Sequence, residues 1–318
     1  MIASSRYKER MTAMPIHFDE PFWIGDRYFS LDDIALIQNT LRRFRRLRRP
    51  ELVATLCENL PWTTAMGAPR LAACRKLLDA IEEAQWMPVP PKRAPRRGRP
   101  SADHQGDPIP DIAITTSLTA VQPLEVIPVD PIDMPIWNAT MATFHPLGYQ
   151  QAFGARQQYW IVSLAGPEPV RLGGLLFAAA AQKLQARDTW IGWDATTRAR
   201  FRARIVNNSR FLILPRVHIP HLASHVLGLA ARRIRADWQA RYGFAPVVLE
   251  TFVEEPWRGT CYAAANWQCV GLTAGRGRNS CTKEAILPKK TIWMYPLVRH
   301  WRQALETPWP LPPSEELE

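Results

Sequence analysis

The chain has 318 residues, 47% of them apolar, and a formal charge of +11, which suits about two domains with an ordinary buried core. Its longest strongly apolar run, Gly173 to Ala181, has nine residues, short of the roughly 20 that span a bilayer. The start, MIASSRYKER, lacks the apolar stretch of a secretory signal, so neither a membrane nor export is expected and the cytoplasm is the expected compartment.

Ser30 to Leu47 predicts a helix. Ser30 caps it, Asp32 and Asp33 lie in its first turn and arginines crowd its end, an order that matches the helix dipole. Leu41, Phe44 and Leu47 recur every third residue and leave the arginines on other faces. A second helix follows Pro50 (ELVATLCENL) and a third follows Gly67 and Pro69 (LAACRKLLDAIEEA). Residues 1–87 therefore read as an N-terminal helical module of helix-turn-helix or winged-helix type. Its third helix would be the reader, with Arg70, Arg75 and Lys76 as contacts.

Residues 88–122 are rich in proline and arginine and lack periodicity, which marks a linker. Residues 123–318 alternate strand-like and helix-like segments. Strands are expected at LEVIPV, QYWIVSL, VRLGGLLFAAA, RFLILPRVHI, VVLETFV and TIWMYPL, and helices at MPIWNATMATF, HLASHVLGLAARRIRADWQARYG and CYAAANWQCVG. The fold class is α/β with a mixed sheet.

The charge is concentrated. LRRFRRLRRP (41–50) holds six arginines, PKRAPRRGRP (91–100) holds five basic groups, and neither window holds an acid. Their sum equals the whole net charge, since the remaining 29 basic groups match the 29 acids. Clustered charge of this kind is a footprint for phosphate backbones, because each neutralised phosphate releases counterions. The expected nucleic-acid contacts are Arg42, Arg43, Arg45, Arg46, Arg48, Arg49, Lys92, Arg93, Arg96, Arg97 and Arg99, with DNA as the partner. A solvated helix face and a basic linker give the same composition.

Within residues 205–278, the segments IVNNSRFLILP, HLASHVL and LETFVEEPWRGTCYAAANWQCVGLTAGRGR resemble the C-terminal core of the DruA-like family. Members of that family are components of the Druantia anti-phage system, with relatives fused to or near transposases of mobile elements. The N-terminal helices resemble the family more loosely. The resemblance implies a role in antiviral defence, with other proteins of the same system as partners. The order of the C-terminal segments also resembles the GNAT acyltransferase fold, and Tyr262, Asn266 and Gly271 are similar to the pattern that closes many such domains.

GNAT enzymes hold the pyrophosphate of acyl-CoA on a glycine-bearing turn at the start of the long helix. Here that turn, Val217 to Ser224, has no glycine, and Pro220 removes an N–H. Acyl-CoA is therefore not expected, and no other cofactor is indicated. Glu250, at the end of a strand, is the candidate general base, or else a structural carboxylate holding Arg210 or Arg258. Ser224 and Asn266 complete the candidate catalytic groups. Asn207, Arg210, Ser224, Glu250, Asn266 and Thr273 are expected to converge on one pocket at the strand ends. GLTAGRGR adds Arg276 and Arg278 as a phosphate cradle, with a plain loop as the alternative.

His218, His221 and His225 lack the glutamate of an HExxH motif, and the five cysteines contain no CxxC pair, so no metal site and no disulfide framework are expected. The family resemblance points the same way, since asparagine is commoner at the position of His221. Cys261 is a conceivable nucleophile, though small packed cysteines are usually inert. Trp190, Trp193, Trp257 and Trp267 are candidates for base stacking or, alternatively, core anchors. Two further functions stay open: an acyl or aminoacyl transferase using Glu250, and a transposase-associated DNA-binding protein, although no acidic trio of DDE type is recognisable.

Overall fold

The computed structural model describes residues 16–60, 62, 64, 69–92, 106–149, 154–275 and 288–307. A short hairpin opens it, β1 (Phe22–Ile24) paired with β2 (Arg27–Phe29) around Gly25. Next come α1 (Leu31–Arg43), α2 (Arg49–Asn59) and α3 (Leu71–Glu83). Ser30 caps α1 as expected: its hydroxyl accepts from Asp33 N, and Asp33 returns a bond from the Ser30 N–H. The helix stops at Arg43, earlier than the expected Leu47, yet Leu41, Phe44 and Leu47 are all buried.

The stretch expected as a linker is attached to the body at several described residues: Pro90 O accepts from Arg49, Ile109 is buried with its N–H on Thr140 Oγ1, and Asp111 accepts from Arg216 N. Strand β3 (Ile114–Thr115) pairs in parallel with β8 (Val217–His218). The main sheet is built from β4 (Leu124–Pro128), β5 (Arg156–Ser163), β6 (Val170–Ala179), β7 (Ile205–Ile213), β9 (Val248–Glu254), β10 (Gln268–Leu272) and β11 (Lys290–Pro296). Its order is β10-β11-β9-β7-β6-β5-β4, and every neighbouring pair is antiparallel except β7 with β9. The expected mixed α/β sheet is thus present.

Helices α4 (Met134–Phe144), α5 (Gln185–Ile191), α6 (Ala195–Phe201), α7 (Leu222–Tyr242), α8 (Thr260–Ala264) and α9 (Trp301–Glu306) complete the chain. Helix α7 crosses between the two parallel strands and buries Val226, Leu227, Ala230, Ile234 and Trp238. On the other face, α4 lies flat because Gly174 leaves room: a Cβ there would stand 2.8 Å from Trp137 Nε1, which donates to Tyr159 O at 3.0 Å. A smaller core on that same face gathers Ile191, Phe201, Ile205, Val248, Met294 and Leu305. The segment CYAAANWQCVG, expected to be one helix, splits: Asn266 adopts a positive φ of 63°, which ends the helical turn and lets Gln268 onward pair as β10. Among the described residues no helix is long and apolar enough to cross a membrane.

Candidate functional site

Strands β7 and β9 run together for three residue pairs only: Ile205 with Val248, Val206 with Leu249, and Asn207 with Glu250. Beyond them the strands part, the kind of strand-end crevice where α/β proteins place ligands. Side chains alternate across the sheet, so Asn208 and Thr251 face α7 and α8, whereas Asn207 and Glu250 face α4 and α5. On the α7 side the crevice is closed. Thr251 Oγ1 donates to Asn208 O, and Tyr262 O–H donates to Asn208 Oδ1, both at 2.8 Å. Burial pushes the Tyr262 hydroxyl well above its ordinary pKa, so it stays a donor.

The opposite face is polar. Gln158 on β5 stands opposite Leu176, and Leu176 opposite Arg210, so Gln158 and Arg210 lie in one row across the sheet. A bulge at Ser209 keeps Arg210 on the face of Asn207. Arg210 Nε donates to Gly148 O at 3.0 Å and Nη1 to Ser209 O at 2.7 Å. Gly148 belongs to the turn that follows α4, where its N–H donates to His145 O at 2.7 Å. In the same turn His145 Nδ1 accepts from Leu147 N at 3.1 Å. Burial, with the Arg210 charge beside it, pulls His145 down to about 4. The ring is therefore neutral, and because Nδ1 accepts, its proton sits on Nε2. Tyr149, raised by burial against the pull of Arg156 and a hydrogen bond from Gln158, completes the cluster. Among the described residues, Gln158 Oε1 and Asn207 Oδ1 are buried without a hydrogen-bond partner.

Glu250 is fully buried and committed. Its Oε1 accepts from Ala181 N at 2.7 Å and its Oε2 from Arg187 Nη1 at 3.0 Å. Arg187 also meets Asp188 at 2.8 Å, and Asp188 meets Arg198 at 3.1 Å. Burial opposes the charge on Arg187, but Glu250 and Asp188 more than offset it and raise the guanidinium above its ordinary pKa. The arginine that Glu250 meets is thus Arg187, in place of Arg210 or Arg258. With no solvent exposure and a guanidinium against it, Glu250 is out of reach of a substrate proton.

Three of the six residues expected in one pocket, Asn207, Arg210 and Glu250, share a face. Ser224 does not join them: it lies in the first turn of α7, bonded to His221 O at 3.1 Å. Asn266 is exposed at the turn between α8 and β10, and Thr273 ties the sheet edge by exchanging hydrogen bonds with the backbone of Lys290. Arg276 and Arg278 lie outside the described residues. The residues that sequence reasoning missed, His145, Tyr149, Gln158 and Arg187, come from segments read only as helix, loop or strand, and no motif marks them.

Burial raises the Cys261 thiol, which works against a nucleophile. Among the tryptophans, Trp193 and Trp267 are core residues, Trp190 stacks on Trp301 at 4.3 Å, and Trp257 is 63% exposed. His225 Nε2 lies 3.2 Å from Gln122 Nε2. Among the described residues no group of three or more His, Cys, Asp or Glu side chains gathers as a metal site would.

The arginine run divides by role. Arg42, Arg45, Arg46 and Arg48 are exposed. Arg46 also reaches Ala240 O at 2.8 Å, at the carbonyl end of α7. Arg43 turns inward, where burial and the charge of Arg204 lower it to about 9. Arg49 is spent on Asp79 at 2.7 Å and Glu82 at 2.9 Å, and Lys92 meets the same two acids. Arg93, Arg96, Arg97 and Arg99 lie outside the described residues. Arg70, the residue before α3, pairs with Asp26 at 2.6 Å, while Arg75 and Lys76 on the helix are exposed.

A protein-family model described as Druantia protein DruA matches residues 92–286. No curated protein matches the chain. Among solved structures, a probable acetyltransferase of the GNAT family from Chromobacterium violaceum aligns at 12% identity and a TM-score of 0.32, covering 65% of this chain and 97% of that one. A domain from Methanocaldococcus jannaschii aligns at 11% identity and a TM-score of 0.30, covering 54% and 97%. Likeness at this level extends to neither ligand nor activity.

Proposed function

Because the chain belongs to the family of the Druantia protein DruA, we propose that it is a component of a Druantia anti-phage system that binds nucleic acid through its N-terminal helical module. The observation that carries the binding reading is the exposed arginine edge, Arg42, Arg45 and Arg48, which runs from the last turn of α1 to the cap of α2 in a stretch without acids. Exposed guanidinium groups meet phosphates and release counterions, which gives affinity without sequence readout. Arg75 and Lys76 on α3 extend the basic surface. The basic stretch after Lys92 serves as a second contact, and other proteins of the same system act as partners in the cytoplasm.

The test is binding of the full-length protein to a random-sequence duplex across a series of salt concentrations. Affinity that falls steeply with salt supports the reading, and no binding at low salt removes it.

A further inference from the structure

Arg210 is a partly buried cation that meets only carbonyl oxygens. Nε and Nη1 bond to Gly148 O and Ser209 O, and no carboxylate pairs with the guanidinium among the described residues. Burial lowers its pKa, and the one charge effect that opposes this comes from Tyr149. The nearby arginine, Arg156, is already matched by Glu51 at 2.7 Å. A guanidinium removed from water without a full counter-charge is costly unless something else completes it. The carbonyls of Gly148, in the turn after α4, and of Ser209, on β7, supply partial negative charge only.

The groups around Arg210 show what would complete it. His145 is neutral and, with Nδ1 occupied by Leu147 N–H, offers Nε2–H as a second donor. Among the described residues Arg210 Nη2 makes no hydrogen bond, and its charge acts on His145, so two donors with one net positive charge stand near the turn after α4. Farther along the same face, Gln158 Oε1 and Asn207 Oδ1 are buried acceptors without donors. Gln158 and Arg210 are two strands apart in one row, about 10 Å between backbones. The cluster thus lacks a monoanion at one end and a hydrogen-bond donor at the other.

We propose that Arg210 and His145 bind the carboxylate of a small amino or hydroxy acid, whose N–H or O–H groups satisfy Gln158 and Asn207. A carboxylate matches a single net charge and the planar fork of a guanidinium. The site is separate from the arginine edge of α1, so its failure would leave the nucleic-acid reading untouched, and the reverse holds too.

The experiment uses full-length protein carrying 15N-labelled histidine, with the His145 Nε2 resonance among the seven histidines identified by its loss in His145→Gln. Acetate, glycine and dimethyl phosphate are titrated at constant ionic strength. Acetate should shift the His145 signal, and glycine should do so at concentrations roughly tenfold lower, the worth of about one added hydrogen bond. Arg210→Gln should abolish both shifts. Arg210→Lys keeps the charge but loses the fork, and should weaken binding at least tenfold while the other histidine signals confirm an intact fold. The proposal is overturned if acetate and glycine leave His145 unmoved, if Arg210→Gln binds them as well as the parent, or if dimethyl phosphate alone shifts the signal, which would mark a phosphodiester site instead.

Discussion

Arg187 and Glu250 form an ion pair at 3.0 Å in which neither side chain has any solvent exposure. Arg187 belongs to α5 and Glu250 to β9, so the pair fastens a peripheral helix to the strand that lines the crevice. Breaking such a pair from one side leaves an uncompensated buried charge. Glu250→Gln should cost about 2–4 kcal/mol and Arg187→Met about 3–5 kcal/mol, because the latter leaves the Glu250 charge buried without its cation, while Asp188 keeps Arg198. The double change Arg187→Met with Glu250→Gln should recover part of the loss. Thermal or urea unfolding checks this, and equal stability of Glu250→Gln and the parent protein would contradict it.

The arginine run should separate into two phenotypes. Replacing Arg42 and Arg48 together by glutamine should lower the salt slope of duplex binding by about 0.9 per lost phosphate contact, with little change in melting temperature. Replacing Arg49 by methionine should do the opposite. It removes bonds to Asp79 and Pro90 O and the pair with Glu82, costs about 1–3 kcal/mol, and leaves the slope unchanged. Parallel binding and melting curves for both variants would distinguish the two roles.

His145 makes stability depend on pH. Its folded pKa of about 4 lies below the ordinary 6.5, so the folded state resists the proton that the unfolded chain accepts. The contribution is fully present above pH 6.5 and is lost as pH falls toward 4. Because part of the ring meets solvent, about 1–2 kcal/mol is the expected size. His145→Gln should flatten the stability curve in that window, as urea midpoints measured at several pH values would show.

Tyr262 and Asn208 provide a test of the closed side of the crevice. Tyr262→Phe keeps the ring against Trp267 and Trp293 but removes the donor to a buried acceptor. A loss of about 1–2 kcal/mol is expected, and a neutral result would mean that water takes the place of the hydroxyl.

Local signals were legible in the sequence and distant pairings were not. Ser30 with Asp33, the buried stripe Leu41, Phe44 and Leu47, and the alternating strands of the sheet all follow from residues within one turn or one strand of each other. The hairpin Phe22 to Phe29 escaped notice because three-residue strands carry too few positions for a period. Asn266 divides a segment of good helical composition by a backbone angle, which composition does not record. Glu250 drew attention as a carboxylate at a strand end, but its partner Arg187 lies 63 positions earlier and nothing local distinguishes it from Arg210 or Arg258. The cluster of His145, Gln158 and Arg210 exists only because three separate strands and a helix end meet.

The N-terminal helices are fastened to the sheet body at several points: Glu51 to Arg156 on β5, Arg46 to the end of α7, Arg202 to Asn59, and Phe44 between Tyr242 and Phe244. A pull applied at the arginine edge would therefore travel through rigid struts to the first residue of β5.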